Sequence, residues 1–206
     1  MKDLTKIIAV LFFILPVNLV KGQEVVKDYD GNVYKTVKVG NQVWMAENLK
    51  VTHYRNGQPV PNVKENKQWD SLTTGAYCDP VNKPERSEVQ GRLYNWHVIA
   101  DERNICPAGW HVPSEAEWQV LVKYLSETPG TKELNADLFK VLQEDMRYYD
   151  GGFSGNGYGG GGWWTSTPAT EETAWIHGIN YDTASKNRIE VRKKFGYSIR
   201  CIKSEP

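Results

Sequence analysis

Cys106-Pro107-Ala108-Gly109-Trp110-His111-Val112-Pro113-Ser114-Glu115-Ala116-Glu117-Trp118 decides how this chain is read. Ser114 and Glu117 satisfy the S-x-x-E capping box, in which the hydroxyl accepts from the amide three residues on and the carboxylate reaches back to the cap amide. Pro113 and Trp118 stand where a hydrophobic staple would close the entry to the helix. Trp118, Leu121, Val122 and Leu125 then recur at i, i+3, i+4 and i+7, so one stripe of this helix faces a core. His111 is expected to fix the turn ahead of the cap. Glu115 and Glu117 meet the positive end of the helix dipole and need no catalytic explanation.

Upstream of this motif, Val33–Val39 and Gln42–Ala46 are β-type runs separated by Gly40-Asn41, the signature of a hairpin with a tight turn. Asp28-Tyr29-Asp30-Gly31-Asn32 begins like a calcium loop. Val33 and Val39 occupy the positions where such a loop needs Gly and Glu, so a turn into the strand is the better reading. Residues 50–90 are rich in Gly and Pro pairs and read as a long irregular excursion held by Trp69 and Tyr77. Gly91–Ala100 reads as a short aromatic helix.

Downstream, Pro129-Gly130 breaks the capped helix, and Leu134, Leu138, Val141 and Leu142 predict a second amphipathic one. Strand patterns follow at 163–167, 174–179, 188–192 and 196–202. Strands at both ends with helices between them point to an α+β domain whose termini share a sheet.

The first 22 residues read as an export signal, with Lys2 and Lys6 ahead of an apolar run that is too short to span a bilayer. Residues 23–206 then form one domain. Lys2, Lys6, Lys21 and Asp3 fall in the leader, so the remainder carries 22 basic against 24 acidic residues. Such a balance lacks the basic face that nucleic acid requires. The most basic stretch, Arg188–Lys194, alternates like the solvent face of a strand.

Export permits a disulfide. Spacing does not settle the pairing among Cys78, Cys106 and Cys201. Cys106–Cys201 is favoured because both lie beside strongly patterned core segments, and closing that loop would stabilise the fold by about 3–5 kcal/mol. Cys78 then reads as a small buried residue.

Gly151–Gly162 holds eight glycines in twelve residues. It lacks the Gly-Lys-Ser/Thr ending of a phosphate loop. Tyr148, Tyr149, Asp150, Asn156, Tyr158 and Trp163 interleave with or flank these glycines, and Asp182 follows further on. Aromatic faces with amides and carboxylates suit sugar rings, and aromatics are also enriched at protein interfaces. Trp163 and Trp164 fall on opposite sides of a strand, so at least one is expected in the core. Trp44, Trp96, Trp110, Trp118 and Trp175 read as core residues.

Six ordered motifs closely resemble the Fibrobacter succinogenes major paralogous domain: Asp30–Tyr34, Trp44–Leu49, Gly91–Trp96, Cys106–Ser114, Trp163–Thr167 and Gly196–Cys201. They span about residues 24–204, and the family occurs in exported and surface proteins of Bacteroidetes and Fibrobacteres. More distantly, Val112–Trp118 and the Gly196–Cys201 ending resemble formylglycine-generating-enzyme-type domains of the C-type-lectin-like superfold. The resemblance implies a mixed fold with paired terminal strands, two main helices and a long loop region that presents ligands.

Departures from these relatives shape the functional expectation. The copper-binding cysteine pair of the oxidase members is absent, because only Cys201 lies in that region. His53, His97, His111 and His177 have no metal-ligand spacing, and the calcium-binding tripeptides of the lectins are missing. The chain is therefore expected to be an exported, non-catalytic module with no cofactor or metal, no membrane span after leader cleavage and no nucleic-acid partner. Its expected partner is a carbohydrate or a surface or extracellular protein, met by loops between about Tyr148 and Asp182. The alternatives are a divergent enzyme of the formylglycine-generating type and a structural component of a surface assembly.

Overall fold

Asp28 organises the first turn. Its Oδ1 accepts from the Asn32 amide at 2.9 Å, and its Oδ2 accepts from the Asn32 side chain and from the Tyr34 hydroxyl. This turn joins strand β1 (Val25–Lys27) to strand β2 (Val33–Val39), which pair antiparallel. The architecture is taken from a computed structural model that describes residues 24–129, 145–154, 162–179 and 186–204. The leader and the expected second helix at 134–142 lie outside the described residues.

Gly40-Asn41 turns β2 into strand β3 (Gln42–Met45), with Val39 opposite Gln42. Gly40 has φ +59°, the left-handed conformation such a turn requires. The excursion after β3 is more structured than its composition implies. It contains helix α1 (Asn66–Asp70), strand β4 (Tyr77–Cys78), a 3₁₀ turn at Pro80–Asn82 and helix α2 (Pro84–Gln90). These elements are too short to leave a periodic signal, but Trp69 and Tyr77 are buried as expected.

The Gly91–Ala100 segment corrects the helical expectation. Leu93–Tyr94 form strand β5, which pairs with β4, and only His97–Ala100 are helical (α3). Strand β6 (Trp110–His111) leads into helix α4 (Glu115–Glu127). The capping box is fully formed: the Glu117 amide donates to Ser114 Oγ at 3.3 Å, and Ser114 N and Oγ each donate to Glu117 Oε2 at 2.7 Å. A cap of this kind contributes about 0.5–2 kcal/mol. His111 Nε2 donates to Glu117 Oε1 at 2.8 Å, so this histidine holds the capping carboxylate in place.

Strands β7 (Gly162–Pro168), β8 (Thr173–Ile179) and β9 (Lys186–Arg192) form a separate antiparallel sheet. The chain ends in strand β10 (Ile202–Lys203), inserted between β3 and β6, which gives a five-stranded sheet in the order β1-β2-β3-β10-β6. The two ends of the described chain therefore share one sheet in an α+β fold.

The continuous strand expected at 196–202 is not formed. Gly196 bridges Arg147, Tyr197 bridges Tyr94, and Ser198 bridges Trp163, so the segment changes partner at each step and stitches separate elements together. Cys201 forms the disulfide with Cys106 across 95 residues, and Cys78 is free and buried.

Helix α4 lies between the two larger sheets. Trp118 packs against Trp44 of β3 at 4.8 Å and against Trp163 of β7 at 5.9 Å, and all three are fully buried. Trp164, on the other side of β7, belongs to the main cluster with Tyr94, Ile176, Tyr197 and Ile199. Both Trp163 and Trp164 are thus core, because β7 has hydrophobic layers on both faces. Trp44, Trp96, Trp110 and Trp118 are buried as read from the sequence. Trp175 is not: it is half-buried on the α4-facing side of β8, under the Arg188 guanidinium at 3.4 Å.

Candidate functional site

Arg147 is the post on which the candidate site is built. It is fully buried, with its guanidinium over the rings of Trp69 and Phe153. Its nitrogens donate to the carbonyls of Gly151, Val63 and Lys64. A buried arginine is tolerable only when its donors are taken up in this way. The anchor sets the tight turn that follows, in which the Tyr148 amide donates to Gly152 O at 2.7 Å and the Gly151 amide to Tyr148 O at 3.0 Å. Gly151 has φ +91°, and a Cβ there would stand 2.5 Å from the Asn66 backbone, so only glycine fits.

Tyr148 and Tyr149 project from this turn and are 37 % and 38 % exposed. Neither ring is isolated. Both contact Phe195, at 6.0 and 5.6 Å between centroids. Phe195 stacks on Tyr197 at 5.9 Å, and Tyr197 meets Trp164 edge-on at 5.3 Å. A ladder of rings thus runs from the core to the surface and holds two exposed aromatics in a fixed position.

Beside Tyr149 opens a cleft of about 540 Å³, within the roughly 300–1,000 Å³ usual for small-molecule sites. One wall is the end of β9, where the Arg192 guanidinium lies over the Tyr149 ring at 4.4 Å. Lys193 sits over Trp96 at 4.4 Å and donates to the carbonyls of Thr170 and Glu171. Lys194 donates to the Asp70 carbonyl at the end of α1. The β7–β8 turn with Glu171 and Glu172 adjoins this wall, the Lys193 amide donating to Glu172 O at 2.9 Å, and His97 of α3 also lines the cleft. Burial lowers the His97 pKa below the usual histidine value, and the positive charges of Lys193 and Lys194 lower it further.

Among the residues proposed from sequence, Tyr148, Tyr149 and Asp150 come together on this turn. The Asp150 carboxylate accepts from the Gly152 amide at 2.9 Å, so one of its oxygens shapes the turn. Trp163 must be removed from the ligand-facing set: it is fully buried and its indole nitrogen donates to Asn48 Oδ1 at 2.8 Å. Asn156, Tyr158 and Asp182 lie outside the described residues. The sequence reading missed Arg192, Lys193 and His97. Arg192 ends β9 and Lys193 follows it, in a stretch that alternates like a solvent face, and only the aromatic Tyr149 and Trp96 beneath them give them a common purpose.

The other histidine–carboxylate contacts belong to the fold. His177 is buried, stacks on Trp118 at 5.2 Å and donates to Glu115 Oε2 at 2.7 Å. His53 Nδ1 lies 2.6 Å from Asp30 Oδ1, and Asp30 Oδ2 also accepts from the amide and hydroxyl of Thr52. Among the described residues no helix is long and apolar enough to cross a membrane, and no three His, Cys, Asp or Glu side chains gather as a metal site.

No curated protein gives a match to the chain. The matched family segment begins within β2 at Val37, contains β3, the Cys106–Trp118 motif and all of α4, and stops just ahead of the Tyr148–Gly152 turn. Residues 37–145, more than half of the 206-residue chain, match the model of the Fibrobacter succinogenes major domain, and the chain belongs to that family.

Proposed function

We propose that this chain is an exported, non-catalytic binding module acting at the cell surface or outside the cell, on a fold of the C-type-lectin-like kind. Its ligand is a carbohydrate or an extracellular protein, met at the cleft beside Tyr149. The observation that carries this reading is the pair of exposed tyrosines rooted through Phe195 in the core. Exposed rings that are already ordered lose little conformational entropy on binding, which is the advantage of a prepared recognition surface. The Cys106–Cys201 disulfide fits an oxidising compartment and so supports export.

The non-catalytic reading draws on the carboxylate partners of His53, His111 and His177, each taken up in holding a turn or a helix. The test is an array of glycans and extracellular proteins probed with residues 23–206 and with the Tyr149→Ala variant. Binding by the parent chain that the variant loses supports the proposal. Equal binding by both would move the site elsewhere. Release of product from any bound ligand would replace the binding module with an enzyme.

A further inference from the structure

The charges lining the cleft identify a narrower ligand class. Arg192, Lys193 and Lys194 converge on it, and among the described residues none of the three forms an ion pair with a carboxylate. The ammonium hydrogen bonds of Lys193 and Lys194 among the described residues go to backbone carbonyls, which carry no formal charge. Arg192 has Tyr149 against one face, and among the described residues the N–H edge of its guanidinium meets no hydrogen-bond acceptor. That edge matches a carboxylate in a two-pronged geometry, which is the strongest neutralisation a guanidinium can make.

Asp70, Glu171 and Glu172 line the same cleft. They oppose a polyanion such as nucleic acid or a densely sulfated chain, and they offer acceptors to hydroxyl groups. The Arg192 guanidinium lies over the Tyr149 ring, and the 38 % of Tyr149 that stays exposed supplies an apolar surface beside it for the C–H face of a pyranose. A ligand that answers all three features carries one negative planar group, several hydroxyls and an apolar face.

We propose that the cleft binds a uronate, a sugar ring bearing a carboxylate, with Arg192 and Lys193 facing the carboxylate, Tyr149 against the ring, and Glu171 and Glu172 accepting from hydroxyls. This rests on the carbohydrate branch of the function proposed above and names the sugar class. Tyr149, Glu171, Glu172, Arg192, Lys193 and Lys194 lie outside the matched family segment, whereas Asp70 lies inside it.

The experiment titrates residues 23–206 with a panel of oligouronates (glucuronate, galacturonate, mannuronate and guluronate oligomers), each beside its carboxyl-reduced neutral counterpart. The expected result is binding of at least one oligouronate about ten-fold or more tighter than its neutral form. Arg192→Gln should remove that preference while leaving the melting curve in place, because Arg192 is exposed. Equal binding of charged and neutral forms would overturn the uronate assignment and leave the binding module standing. A charge preference that Arg192→Gln does not change would also overturn it, by placing the carboxylate elsewhere. Binding of no member of the panel would overturn it as well, and capture of a protein on the array would then keep the broader proposal.

Discussion

Glu115 and His177 are joined by a 2.7 Å hydrogen bond although 62 residues separate them. It ties the first turn of α4 to the middle of β8, and Trp118 covers the imidazole from one side. Burial holds the His177 pKa below the usual value of 6.5; Glu115 opposes that shift, and Arg188 adds to it. The unfolded chain therefore takes up a proton first as pH falls. Stability from this site is complete above about pH 6.5 and declines as pH drops toward the folded pKa, by at most about 1.4 kcal/mol per pH unit. Urea midpoints at a series of pH values should fall through this window, and His177→Asn should flatten the slope.

Asn48 gathers three buried donors on one oxygen. Its Oδ1 accepts from Arg200 Nε at 3.1 Å, from Arg200 Nη2 at 2.6 Å and from the Trp163 indole at 2.8 Å. Asn48→Ala removes the shared acceptor while Arg200 remains 4 % exposed. The expected loss is about 2–3 kcal/mol, because a hydrogen bond to a charged group is broken where water does not readily replace it. Thermal or urea unfolding measures this directly, and Asn48→Asp, which keeps the acceptor, should recover part of the loss.

The thiols should divide sharply by reactivity. Cys106 and Cys201 are bridged, and Cys78 is free, buried and pushed up to about 12, chiefly by burial. A native, non-reduced sample should show no alkylation near neutral pH, one modified cysteine after unfolding without reductant, and three after reduction. Replacing both bridged cysteines by serine should cost about 2–5 kcal/mol.

Gly151→Ala tests how the tyrosines are placed. A Cβ would press on the Asn66 backbone in a turn whose φ disfavours any side chain. Ligand binding should fall along with stability in this variant. Tyr149→Ala should reduce binding with a melting temperature within about 2–4 °C, the span of about 1 kcal/mol for a domain of this size. That contrast separates a ring that contacts ligand from a turn that positions it.

The sequence was most legible where the determinants are local. The capping box of Ser114 and Glu117 depends on residues three apart, and the Gly40-Asn41 hairpin on two flanking strands, so pattern alone located both. The Cys106–Cys201 bridge could be favoured because each partner adjoins a core segment. Contacts between distant residues left no such trace. Nothing in the sequence ties Glu115 to His177, Asn48 to Arg200, or Arg147 to the carbonyls of residues 63 and 64. Each is a charged or polar residue that reads as surface until its burial is known. Trp163 was placed among the ligand contacts for the complementary reason: alternation assigns a residue to a face, but here both faces of β7 are covered. Trp175 was read as core because nothing in its own strand reveals that Arg188 is its cover.

The cleft beside Tyr149 is the central claim, and hydrogen–deuterium exchange of residues 23–206 with and without a bound oligosaccharide or protein tests it most directly. Added protection is expected at the Tyr148–Gly152 turn and at Arg192–Phe195, with the β1–β2 hairpin unchanged. Protection confined to β1–β2, or to the Asp30–His53 region, with none at these two turns, would contradict it.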